Sequence, residues 1–127
     1  MDSLQSFLHP KRKPNLKFRL GAFDSELEMR MLSAQEDLEL MKTAKDGNLD
    51  GIDIMMLYVA ESLAAPDLHS KELLAGLSER EGRKVINAVD ALKQVFNGAE
   101  ISKLIEIYNR YTDVVVNFSD EVEKVKN

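Results

Sequence analysis

The spacing of apolar residues changes from a period of two to a helical one at Ser33, and the change divides the chain. Leu16, Phe18 and Leu20 alternate with Lys17 and Arg19. After the turn-rich stretch from Gly21 to Ser25, Leu27, Met29 and Met31 alternate with Glu26, Glu28 and Arg30. A period of two with glycine between the runs predicts a β-hairpin over 16–32, apolar on one face and charged on the other. Two strands alone are marginal, so the apolar face must lie on helices or join another molecule's strands, and the hairpin leaves a free edge.

From Ser33 the period becomes helical. Ser33-Ala-Gln-Glu36 has the form of a capping box, and Leu38, Met41 and Ala44 give a narrow stripe, with Gly47 suited to the helix end. The next helix, from Gly51 to about Ala64, is different in kind. Ile52, Met55, Met56, Val59 and Leu63 mark one side, while Ile54, Leu57, Tyr58 and Ala60 fill most of the rest. A helix apolar nearly all round belongs in the middle of a fold, and Pro66 limits its length. No chemistry is written on it; it reads as core.

Beyond Pro66, Ser70 can cap a short helix presenting Leu73, Leu74 and Leu77. Ser78-Glu-Arg-Glu81 has the form of a second capping box, with Val85, Ile86, Val89, Leu92 and Phe96 as its stripe. Asn97-Gly98 sits between flanks of helical period and reads as a helix–helix turn. The last helix shows Ile101, Leu104, Ile105, Tyr108 and Tyr111, and Val114 to Val116 favours strand by composition. At the other end, Ser3 to Leu8 predicts one helical turn that presents Leu4, Phe7 and Leu8 together. His9-Pro10 stops it, and a polar linker runs on to Pro14. Those three apolar residues need cover, on their own domain or on a neighbour.

The expected fold is mainly α: an N-terminal hairpin, then a bundle of about four to five helices around the central apolar one. The expected division is an arm and linker over 1–14, one globular domain over 15–112, and a partly flexible tail over 113–127. With 127 residues the chain buries roughly 65–70% of its unfolded surface, which needs no metal or crosslink. The absence of cysteine removes disulfides, thiolate metal sites and thiol nucleophiles. The longest apolar run, Ile54 to Ala60, is far below the ~20 residues that cross a bilayer, and the start of the chain lacks the apolar core of a secretory signal. A soluble, intracellular protein is expected.

Charge adds one asymmetry. Residues 1–22 carry Lys11, Arg12, Lys13, Lys17 and Arg19 against Asp2 alone, a balance of +4, so the remainder of this −5 chain carries −9. A basic arm on an acidic body suits contact between copies. Without interleaved aromatic side chains it is a weak signal for nucleic acid.

Asp46-Gly-Asn48-Leu-Asp50-Gly51 reproduces the first half of an EF-hand calcium loop. The eighth position is Asp53 where an apolar anchor belongs, and the twelfth is Leu57 where calcium needs a bidentate glutamate. It reads as an Asx- and Gly-rich turn. His9 and His69 are the two imidazoles, without metal-ligand spacing. No phosphate-binding glycine loop and no nucleophile elbow occur. No catalytic, cofactor or metal residue is assigned, and a non-enzymatic role is expected.

The order of elements carries more than any motif. A short apolar segment, a basic linker, Phe18 to Leu32 leading into Ser33-Ala-Gln-Glu36, and a central helix closing on Ala-Ala-Pro66-Asp67-Leu68 follow in turn. Two amphipathic helices then end in Leu104-Ile-Glu-Ile-Tyr-Asn-Arg-Tyr111. Over about residues 3 to 112 this layout resembles the tail assembly chaperones of long-tailed bacteriophages, in particular those of phages and prophages of Gram-positive bacteria. The resemblance implies a helper, made in the cytoplasm of the infected host, that coats the tape-measure protein and keeps it soluble. It is displaced as tail-tube protein polymerises, and is absent from the mature virion. It also implies a longer product made by a programmed frameshift, this chain being the shorter form.

Coating a long client requires many copies. The residues expected to serve self-association or partner binding are Leu4, Phe7, Leu8, Lys11, Arg12, Lys13, Phe18, Met29 and Met31. The arm and the hairpin edge suit head-to-tail contacts that build a ring or spiral of this chain. The methionines, including Met41, Met55 and Met56, suit either an adaptable apolar surface or plain core filling. The two competing readings are a small helical adaptor or regulatory domain binding one folded protein, and a nucleic-acid-binding factor working through Lys11 to Arg19.

Overall fold

In the computed structural model, which describes residues 3–118, the two-residue period does form strands: β1 (Leu16–Phe18) and β2 (Leu27–Met29) pair antiparallel. Leu16 lies opposite Met29, Lys17 opposite Glu28 and Phe18 opposite Leu27. The Lys17–Glu28 pairing sets opposite charges across the ladder, as the composition of the two runs suggests. The arm forms the short helix α1 (Ser3–Leu8). The body contains five further helices: α2 (Ala34–Asp46), α3 (Gly51–Ser62), α4 (Lys71–Glu81), α5 (Ala88–Val95) and α6 (Gly98–Tyr111). The fold is mainly helical with a small antiparallel sheet.

A third strand was not legible in the sequence. The central helix α3 ends at Ser62, two residues earlier than expected, and Leu63–Ala65 runs on as β3 beside β2. The sheet order is therefore β1-β2-β3. Leu63 has extended backbone and its N–H still reaches Val59 O, closing the helix, while Arg30 N–H donates to Ser62 O at 2.8 Å. The following Ala65–Pro66 peptide bond is cis. β3 occupies one side of β2, so the outer edge of the hairpin that stays outside the ladder is that of β1.

α3 packs against α2, α5, α6 and β3. Met56, Leu57, Val59 and Ala60 are buried, and Leu63 continues the same core into the sheet. The expected stripe needs one correction: Ile52 is 58% exposed, because it lies in the first turn of α3, outside the core cluster. The apolar face of the hairpin lies on the chain's own helices, with Leu27 and Met29 buried and Leu16, Phe18, Leu20, Phe23 and Met31 packed around them.

Helix starts in the body share one device. Ser33, Asp50, Ser70, Asn87 and Asn97 each accept from the N–H three residues on. Ser33 with Glu36 and Asn97 with Glu100 complete reciprocal capping boxes. Asp50 therefore spends its carboxylate as a cap on α3, and Asn48 holds a positive φ of 50°. The calcium-like stretch is the turn between α2 and α3.

Ser78 does not cap a helix. Ser70 has already started α4, and nothing stops it until Gly82, whose φ of +70° is the left-handed conformation that ends helices. The Ser78 hydroxyl instead donates to Leu74 O and accepts from Val85 N–H, holding the α4–α5 connection. α5 starts only at Ala88, so Val85 is buried from a loop and Ile86 is 64% exposed. Val114 to Val116 are exposed and form no strand. The charged end of the expected tail, 119–127, lies outside the described residues.

Leu92 is fully buried among these elements. Leu92→Ala should lower the unfolding free energy by about 2–5 kcal/mol. Ile52→Ala should change it by no more than about 0.5 kcal/mol. Chemical denaturation of the two variants checks both values.

Candidate functional site

The nine residues expected to bind copies or partners separate into two groups. Leu4, Phe7 and Leu8 are 59%, 83% and 59% exposed on α1. Lys11 and Arg12 follow on the exposed linker. Phe18 and Met31 are half-buried against the core, and Met29 is fully buried at 0%. The placement of Met29 on a binding surface is therefore corrected: its side chain faces the helices on a central strand flanked by β1 and β3. Of the other methionines considered for an adaptable surface, Met56 is buried, Met55 half-buried and Met41 exposed. Core filling accounts for most of them.

Lys13 has a more specific task than its charge suggested. Its ammonium donates to Tyr111 O at 3.0 Å and to Asp113 O at 2.9 Å. The buried Tyr111 side chain returns the contact, its hydroxyl donating to Pro14 O at 2.9 Å. Burial raises the Tyr111 phenol above its ordinary pKa, so it remains a donor. These bonds tie the base of the arm to the end of α6. The last carbonyls of a helix attract a cation, so the lysine suits the site electrostatically as well. The tie leaves His9 to Arg12 as the tether between α1 and a fixed point.

The second exposed apolar group lies on α2, where the sequence predicted a buried stripe. Ala44 is the one buried residue of this helix; Leu38 is 55% and Met41 56% exposed. The helix rests on α3 alone among its substantial contacts, and Met41 borders the groove between the two with Ile54 and Tyr58. Its N-terminus is held by Arg30, whose guanidinium forms two hydrogen bonds to the Glu36 carboxylate at 3.0 and 2.8 Å. Those bonds, with the Ser33 N–H, depress the Glu36 pKa to about 2. A similar fork from Arg83 holds Asp90 at about 2 and braces the α4–α5 connection.

The third feature is a cleft at the turn end of the hairpin. It holds about 380 Å³ and is walled by Phe23, Leu27, Pro66, Leu73, Leu77 and Phe96. Phe23 and Phe96 meet edge to face with ring centroids 5.3 Å apart. Ser25, Glu26 and Arg80 stand at its rim. Nothing in the alternation of residues 16–32 marked Phe23, which the pattern placed in a turn. The cleft arises when that turn meets α4 and the end of α5.

His69 pairs with Glu61 at 2.8 Å on the surface, and His9 is exposed. Among the described residues no group of three or more histidine, aspartate or glutamate side chains is placed to hold a metal. No described helix is long and apolar enough to cross a membrane.

No protein-family model, curated protein or solved structure matches this chain. The functional reading rests on the surfaces themselves.

Glu36 and Asp90 have folded-state pKa values below their ordinary ones, so their stabilisation is complete above the ordinary carboxylate range. It is lost as pH falls toward about 2. The melting temperature should decline on acidification below about pH 4.5. A Glu36→Gln, Asp90→Asn variant should melt lower at pH 7 and decline less steeply, as thermal scans across the range would record. Tyr111→Phe, which leaves Pro14 O without its donor, should cost about 1 kcal/mol in denaturant titration.

Proposed function

We propose that this protein is a tail assembly chaperone of a long-tailed bacteriophage. It associates with its own copies and covers a tape-measure protein in the host cytoplasm until tail-tube protein replaces it. The observation that carries this reading is that exposed apolar surface occurs at separate places, among them Leu4, Phe7 and Leu8 on a tethered arm and Leu38 with Met41 on α2. A protein that only binds a client needs one such place. One that also links to its neighbours needs two, placed so that both act at once. The arm serves the copies, and the α2 side offers apolar positions one helical turn apart to a helical client.

The adaptor reading uses the α2 side but gives the arm no task. The nucleic-acid reading has fewer free donors to draw on: the Lys13 ammonium is committed to two backbone carbonyls, Arg19 donates to Asp24 O, and Lys17 lies across the ladder from Glu28. No enzymatic step, cofactor or membrane enters the proposed role.

Co-expression with the tape-measure protein of the same genome tests it. The client should become soluble and co-purify, and Leu38→Ser with Met41→Ser should reduce the recovered client severalfold while leaving the chaperone folded. A client that stays insoluble beside well-folded chaperone overturns the proposal in favour of the adaptor.

A further inference from the structure

The arm and the cleft have complementary chemistry and lie at opposite ends of the same small sheet. The arm enters β1 at Leu16, whose cross-strand neighbour is Met29, beside the Lys13–Tyr111 tie. The cleft opens at the other end, where Phe23 lies past the Phe18–Leu27 pair. A donor at one end and an acceptor at the other define a head-to-tail contact, which repeats without closing on a two-fold axis.

Size and polarity agree. Phe7 is the most exposed large apolar side chain of the described residues, and a space of about 380 Å³ lined by two aromatic rings accommodates a phenyl group and an adjacent leucine. Charge agrees as well. The linker behind α1 brings Lys11 and Arg12; at the cleft rim Glu26 stands exposed, while the Arg80 guanidinium there is already paired with Glu81, on a body of net negative charge. In the single chain neither surface covers the other: Phe7 is 83% exposed and the cleft stays open.

We infer that the cleft walled by Phe23, Leu73, Leu77 and Phe96 receives the N-terminal helix of a second copy of this chain, with Phe7 as the inserted anchor. The inference rests on the self-association part of the function proposed above and on no property of the client. Leu4, Phe7 and Leu8 together bury on the order of 400 Å² on the arm side, about half of the ~800 Å² each partner contributes to a standard stable interface. A single contact is therefore weak, and the array grows with concentration because each copy gives one arm and accepts another.

The chain lacks cysteine, so single cysteines report the contact directly. Ser6→Cys marks the arm beside Phe7, and Ser25→Cys marks the cleft rim; both replace exposed serines. The two full-length variants, carrying different affinity tags, are mixed and mildly oxidised. Disulfide dimers containing both tags should predominate over dimers containing one. Adding Phe7→Glu to the Ser6→Cys chain should reduce them roughly tenfold, the effect of losing one aromatic anchor. The mass of the unmodified protein by light scattering should rise with concentration, and that of Phe7→Glu should stay at one chain.

Mixed dimers no more frequent than random collision gives, or indifference to Phe7→Glu, would overturn the inference. So would an intrachain disulfide in a dilute Ser6→Cys, Ser25→Cys double variant, which would place the arm in its own cleft. These readouts use the purified chain alone, so their failure is distinct from failure to solubilise a client.

Discussion

The burial of α3 is the constraint on which the other elements depend. A twelve-residue helix apolar on most of its circumference needs neighbours on several sides, and it obtains them from α2, α5, α6 and the strand that continues it. Val59 and Ala60 are essentially inaccessible, and the core they anchor extends through Leu63 into the sheet and through Leu92 and Leu104 into the C-terminal half. Because β3 is the direct continuation of α3, the position of that helix also fixes the position of β2, and through β2 that of β1.

Much of this was legible in the residues. The period-two runs at 16–20 and 27–31, the capping box at Ser33 and the apolar saturation of α3 each specify their elements locally, and the structure agrees with them. The departures have a common cause. Ser78-Glu-Arg-Glu81 satisfies a local rule, but Ser70 had already nucleated a helix that no residue before Gly82 interrupts. β3 carries three small or apolar residues, Leu63-Ala-Ala65, with no alternation to announce a strand; it exists because β2 offers an open side next to the end of α3.

The surfaces were less legible than the core, for a physical reason. Periodicity reports which residues share a face, not whether that face is covered. Leu38 and Met41 have the spacing of a buried stripe and yet face solvent, because α2 is peripheral. Met29 has the spacing of an available strand face and is fully buried. The residues left open whether the arm packs on its own domain or on a neighbour, and in the structure Leu4, Phe7 and Leu8 are exposed. The cleft assembles from residues 23, 27, 66, 73, 77 and 96, and a site spread over such separations leaves no local pattern.

The bonds that join the arm's base to the end of α6 link residues 97 and 98 positions apart in sequence. Closing so long a loop has an entropic cost that only the prior packing of the intervening helices can offset. During synthesis the arm leaves the ribosome before the helices of the body, while Asp113, which with Tyr111 holds the arm's base, is made 100 residues after Lys13. The arm of a nascent chain therefore has no fixed base until almost the whole domain has been translated. The order of translation itself thereby delays the setting of that base until the fold is complete.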